Sequence, residues 1–181
     1  QYGISRMFIE DHDELFYLMM YNEALPMPPR PELPDLEEGV IRGGYCLEAA
    51  VGEGPRINLL GSGTILFEVM EAASRLREEG FAVAVYSITS YIELARDAER
   101  ASHSNETSWL SHLFSEPSVP IIAASDYVRT LPRMIASWVP GPMVALGTDG
   151  FGMSERREAL RAHFRIDAQA IAEAARSLVN A

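Results

Sequence analysis

The sequence predicts an α/β domain built on a five-stranded mixed sheet with one antiparallel strand, preceded by the tail of another domain and a proline linker. Three observations predict it. After residue 38, short apolar runs alternate with stretches of helical period, the pattern of a largely parallel sheet with crossover helices. The first two runs, in YCLEAAV and RINLLG, are joined by the short turn GEGP, so they are expected to pair antiparallel. Five prolines between Pro26 and Pro34 forbid helix and sheet interior alike and read as an extended linker.

The elements follow in order. Ile4, Met7 and Phe8 share a helical face, and that helix is expected to end near Glu10. LFYLMMY, residues 15–21, is short, apolar and aromatic and reads as a buried strand. Residues 1–25 are thus a domain tail, 26–38 the linker and 39–181 the main domain. In TILFEVMEAASRLREEG the positions Leu66, Val69, Met70, Ala73, Leu76 and Arg77 keep 3–4 spacing, with Gly80 as the stop. FAVAVYS is a strand. YIELARDAERA and ETSWLSHLF are helices split by the turn SHSN. VPIIAAS is a strand, and DYVRTLPRMIASWV a helix kinked at Pro132. PMVALG is the last strand, followed by helices in SERREALRAHF and DAQAIAEAARSLVNA.

Composition narrows the chemistry. The net charge of −11 disfavours nucleic acid as a partner. All 15 basic residues are arginine, which excludes a Schiff-base lysine, a Walker-type lysine and a lysine carrying lipoyl or biotin. Cys46 is the only cysteine, so neither an internal disulfide nor a thiolate metal cluster can form. No apolar run approaches the roughly 20 residues that a membrane span needs.

In an open α/β sheet, ligands gather at the carboxyl ends of the strands. Four segments are expected there: GSG (Gly61 to Gly63), SITS (Ser87 to Ser90), Ser125–Asp126 and GTDGFG (Gly147 to Gly152). LLGSGTIL has the strand–glycine–helix order of a phosphate site, but Leu66 stands where G-x-G-x-x-G needs its third glycine, so a tight turn with Ser62 or Thr64 as helix cap is the favoured reading. Ser62 lacks the G-x-S-x-G context of a nucleophile. His12, His103, His112 and His163 show no metal or protease spacing, and a triad through Asp126 has no motif support. Arg157, Arg161 and Arg165 form an i, i+4, i+8 stripe. It reads as a solvated face with Glu158 beside Arg161, the alternative being a clamp for an acidic partner.

The segments YNEALPMP, LEEGVIRGGY, LLGSGTIL, VYSITSYIELARDA, ASDYVR and LGTDGFGMSERREALRAHFRIDAQAI, in that order, resemble the C-terminal end of the homodimeric pyruvate dehydrogenase decarboxylating components, members of the thiamine diphosphate-dependent transketolase superfamily. The resemblance covers nearly the whole chain. It implies a three-layer α/β/α fold of transketolase C-terminal type, with residues 1–25 closing a pyrimidine-binding domain. It implies a bacterial cytoplasmic enzyme that decarboxylates pyruvate with thiamine diphosphate and magnesium and acetylates the lipoyl group of an acyltransferase. The cofactor-binding and catalytic residues lie upstream in such enzymes, so none is carried onto this chain. A transketolase-like domain for another substrate, a docking module and a free-standing nucleotide binder are the alternatives. AERASHSNETSWLSHLFSEPSVP departs from the family pattern of a tryptophan–asparagine motif and a histidine–proline pair.

Gly61, Gly63, Asp126, Gly147, Asp149, Gly150, Phe151, Gly152, Arg157 and Arg161 are the structural or interface candidates. Gly150 and Gly152 are expected to supply positive φ, Ser154 to cap a helix starting at Glu155, and Phe151 to be buried at a domain or subunit contact.

Overall fold

The computed structural model describes residues 1–20, 24–26 and 29–180. It divides into two compact units, Gln1–Leu33 and Pro34–Ala181.

The first unit carries a short helix, α1 (Tyr2–Ile4), continued by a π turn over Ser5–Ile9. Phe16 packs edge-on against Tyr2 at 5.8 Å between ring centroids. The strand expected over 15–21 is corrected across its described part. Residues 15–20 form no ladder, and Leu15 is 98% exposed. A strand needs a neighbour to satisfy its backbone groups, and no described residue of this unit supplies one. Tyr21 lies outside the described residues.

The first helix of the second unit is α2 (Leu36–Arg42), whose first three residues fall in the segment read as linker. Its sheet has the order β1-β3-β2-β4-β5, with β1 (Gly44–Glu48), β2 (Arg56–Gly61), β3 (Ala82–Ile88), β4 (Ile121–Ala124) and β5 (Met143–Leu146). β2 is parallel to both β3 and β4, and β4 is parallel to β5.

Because side chains alternate along a strand, Ile57, Leu59, Val83, Val85 and Ile122 face one helical layer. That layer is α3 (Ile65–Glu78) and α8 (Ala168–Val179). Leu60, Ala84, Tyr86, Ile88 and Ala123 face the other, built from α4 (Tyr91–Ser104), α5 (Trp109–Leu113) and α6 (Thr130–Arg133). With both faces covered, the strands read as unbroken apolar runs. The architecture is the three-layer α/β/α sandwich with one antiparallel strand.

The antiparallel partner differs from expectation. β1 pairs with β3, not β2. Seven residues, 49–55, link β1 to β2, and an extended seven-residue chain reaches about 23 Å. Crossing one intervening strand needs only ~10 Å. The link passes so close to the start of β3 that a Cβ on Gly54 would overlap the Gly80 carbonyl.

Three helix boundaries also move. α4 runs through the SHSN segment and stops at Asn105, which adopts φ +58°. The kinked helix at Pro132 is reduced to the single turn α6. Beyond it, Ile135, Ala136 and Trp138 donate to carbonyls three residues back, the tighter 3₁₀ pattern. α7 (Arg157–Phe164) starts past Ser154, so Ser154 does not cap it, and the Arg156 N–H bonds the Glu155 carboxylate.

Asp97 joins α2, α4 and α5. Its carboxylate accepts the Trp109 N–H at 2.6 Å and the Arg42 guanidinium at 3.0 Å, and Arg42 lies over the Trp109 ring. The Trp109 indole N–H in turn bonds Gly44 O at 2.8 Å. Burial works against the Asp97 charge, but the Trp109 N–H and Arg42 outweigh it and hold the carboxyl below its usual range. Its stabilisation is therefore complete above the ordinary carboxylate pKa near 4 and is lost as pH falls through the lower folded value. Asp97→Asn is expected to cost about 1–3 kcal/mol at neutral pH and to flatten the acid limb below pH ~4. Urea midpoints by circular dichroism between pH 2 and 7 measure this; an unchanged acid slope would contradict it.

Candidate functional site: the strand-end face

The parallel strands β2, β3, β4 and β5 all deliver their carboxyl ends to one edge. Arg161, on α7, reaches into that edge and is 6% exposed. Its Nε donates to Asp126 Oδ1 at 3.2 Å and its Nη2 to Asp126 Oδ2 at 3.0 Å, a two-pronged pairing. Nη2 also donates to Thr64 Oγ1 at 2.9 Å, whose hydroxyl donates on to Asp126 Oδ2 at 2.9 Å. Nη1 donates to Glu68 Oε1 at 3.0 Å, and Glu68 Oε2 accepts the Ala168 N–H in the first turn of α8. Burial works against the Arg161 charge, but Asp126 and Glu68 more than offset it, so the guanidinium pKa is raised.

This overturns the reading of a solvated arginine stripe. Arg161 pairs with Glu68 and Asp126 across the fold, not with Glu158 beside it. Arg165 is past the helix, closing α7 with φ +55° while Ile166 N–H bonds Arg161 O at 2.9 Å. Arg157 opens α7. Thr64 is the first residue of the α3 cap but makes no side-chain capping bond; its hydroxyl belongs to the Arg161 cluster. The Ser62 hydroxyl caps nothing either: it and the Tyr91 hydroxyl are buried without a partner among the described residues.

The GTDGFG loop is fastened to the loop after β4. Thr148 N–H bonds Tyr127 O at 2.9 Å, and the Thr148 hydroxyl bonds Asp126 O at 3.0 Å. Asp149 accepts the Arg129 N–H at 2.8 Å and the Arg129 Nε at 2.7 Å, which together hold its carboxyl below the usual range. Gly147 sits where a Cβ would overlap the Tyr127 carbonyl. Gly150 has φ +98°. Gly152, against expectation, has no positive φ and open space around it. Beyond this anchored base Phe151 is 96% exposed in the chain by itself, with Met153, Val128, Met134 and Trp138 also exposed on the neighbouring segments.

Gly61 and Gly63 form the turn into α3. A Cβ on Gly61 would meet Leu66 Cα at 2.9 Å, and Gly63 has φ +61°. Both Asp126 oxygens are taken by Arg161 and Thr64, so the triad drawn through Asp126 has no place for a histidine. His112 instead stacks on Trp109 at 4.6 Å. Sequence reading missed Glu68 and Arg129. Their partners lie 20 to 100 residues away, and no local spacing marks them.

Strand order, layers and strand-end loops define a transketolase-type C-terminal domain. The family model for the transketolase-like TK C-terminal domain matches residues 43–167, and the chain belongs to that family. It is 38% identical to the pyruvate dehydrogenase E1 component of Escherichia coli K12, over 96% of this chain and 20% of that protein. It is 39% identical to the pyruvate dehydrogenase E1 component of Cupriavidus necator, over 92% and 20%. The chain is thus homologous to these components and spans about a fifth of their length. Among solved structures, transketolase from Leishmania mexicana superposes with a TM-score of 0.58 at 20% identity, over 79% of this chain and 19% of that one, a likeness of fold.

Arg161→Met should cost about 3–5 kcal/mol, because Asp126 and Glu68 are left without their counter-charge. Arg161→Lys should recover only part, since a single ammonium cannot reproduce a planar fork across three partners. Phe151→Ala, at an exposed tip, should stay within about 0.5 kcal/mol for the isolated chain. Urea denaturation of the three variants tests the ranking.

Proposed function

We propose that this chain is the C-terminal domain of a thiamine diphosphate-dependent 2-oxoacid dehydrogenase, the decarboxylating subunit of a bacterial cytoplasmic complex, and that pyruvate is the substrate of the whole enzyme. The identity of 37–39% to pyruvate dehydrogenase E1 components, against 20% for the transketolase likeness, supports this over a transketolase reading. The whole enzyme would pass the acetyl group to the lipoyl group of an acyltransferase partner.

The strand-end face does not fit the cofactor itself. Asp126 is held by Arg161 and Asp149 by Arg129, so neither carboxylate is offered to magnesium and neither of these arginines to a diphosphate. No cluster of three or more metal-ligating side chains occurs among the described residues. On this reading thiamine diphosphate and magnesium are held by other domains of the whole enzyme, as the likeness to the E1 components suggests.

The domain works by assembly. The observation that carries this is Phe151, fully exposed at the tip of a loop whose base is fixed by Arg129 and Asp126. Exposed aromatics on a rigid base are the anchors of protein contacts. The apolar run over 15–20 fits the same reading, as a strand that completes a sheet supplied by the preceding domain.

In the full-length enzyme, Phe151→Ala should raise the dimer dissociation constant ~10–100-fold, about 1.4–2.7 kcal/mol. Thiamine diphosphate affinity in the remaining dimer should be unchanged. Analytical ultracentrifugation and calorimetry read the two quantities. An unaltered dimer would remove Phe151 from the interface, and micromolar cofactor binding by this chain alone would overturn the assignment of the cofactor site.

A further inference from the structure

At the end of the sheet opposite the strand-end face lies a cavity of about 200 Å³. It exists because the side chains there are short. Ala50 after β1 leaves space beside the end of α5 and the segment that follows it, where Leu113 and Val119 form the wall and Ala82, Ala84 and Phe114 lie buried beneath. The volume is below the ~300–1,000 Å³ of sites for drug-sized ligands. At ~30 Å³ per water it has room for about seven water-sized groups. Nucleotides and thiamine-sized cofactors are too large for it.

The lining is not purely apolar. Cys46 and Tyr86 are directly opposed cross-strand partners of β1 and β3, and both line the cavity. Tyr86 Oη donates to Leu113 O at 3.2 Å, which leaves its oxygen able to accept. Burial pushes both the Cys46 thiol and the Tyr86 phenol up, so this part of the lining is neutral at physiological pH. Asn58 of β2 also lines the cavity, and its carboxamide has no hydrogen-bond partner among the described residues. The Arg56 guanidinium completes the lining, ion-paired with Glu116, both partners about half exposed.

We propose that this cavity binds a small monocarboxylate with a short aliphatic body. The ligand carboxylate takes the Arg56 fork in place of Glu116. Asn58 bonds a carboxylate oxygen or an adjacent carbonyl or hydroxyl. The aliphatic body packs against Ala50, Leu113 and Val119, the part-exposed apolar lining over the buried Ala82, Ala84 and Phe114. Glu116 shows that a carboxylate seats on Arg56, and an exposed ion pair of this kind is readily exchanged. One arginine beside apolar walls suits a monoanion; a phosphate dianion would need further cations that the lining does not contain. This site stands on its own geometry and is independent of the assembly role proposed above.

Butyrate is the probe, with butyramide as its neutral isostere, titrated into the full-length protein. The readout is the rate at which iodoacetamide alkylates Cys46, followed by mass mapping of the Cys46 peptide, which reports this cavity and no other monocarboxylate site. Butyrate should slow alkylation at least tenfold at saturation, and butyramide at equal concentration should not. Arg56→Gln should weaken the protective affinity at least tenfold. Glu116→Gln should strengthen it severalfold, because it removes the competing carboxylate. The two opposite signs separate ligand binding from a loosened loop. Equal protection by butyramide, no protection by butyrate, or weakening by Glu116→Gln would each overturn the proposal.

Discussion

Arg161 is a full charge taken out of water, and much of the second unit is arranged around it. Removing such an ion from solvent costs several kcal/mol, so it persists only where counter-charges and hydrogen bonds meet it in good geometry. Asp126 supplies two oxygens from the end of β4, Thr64 a hydroxyl from the turn before α3, and Glu68 an oxygen from α3 itself. Through its second oxygen Glu68 also holds the first turn of α8. One guanidinium thus joins three stretches that are remote in sequence, the start of α3, the end of β4 and α7, and each partner would become a liability without it.

The clamp has a direct consequence for the loop beside it. Asp126 faces Arg161 with its side chain and Thr148 with its backbone carbonyl. The base of GTDGFG is therefore registered on the same residue that anchors α7, and Arg129 fixes Asp149 from the other side. Glycine then frees the chain at Gly150, and Phe151 projects from a rigid base. Aromatic area held this way loses little conformational entropy on contact with a partner.

The periodic parts of the fold were legible in the sequence. β2 runs over the expected RINLLG, and α3 ends just before the expected Gly80. The strand partner of β1 was not legible, because a seven-residue link allows both a direct hairpin and a skipped strand. Only the close passage of Gly54 past Gly80, a three-dimensional fact, distinguishes them. Arg161 shows the same limit. Helical spacing places it correctly on a stripe with Arg157, but the spacing carries no information about Glu68 or Asp126, and these decide that it is buried. The apolar run over 15–20 reads as a strand by composition, yet a strand is a property of a pair.

Net stability does not explain why such a clamp is used. Apolar residues of similar volume commonly do as well as a buried ion cluster. What they cannot reproduce is direction. A planar fork with bonds to three side chains admits one arrangement of α7 against β4 and α3, whereas an apolar contact tolerates sliding. Asp126 and Asp149 are both satisfied internally, at the position where an open α/β sheet ordinarily binds its ligand. That edge is left to act as a surface of defined shape. Its charged groups are committed in pairs, Asp126 to Arg161 of α7 and Asp149 to Arg129 at the base of the loop.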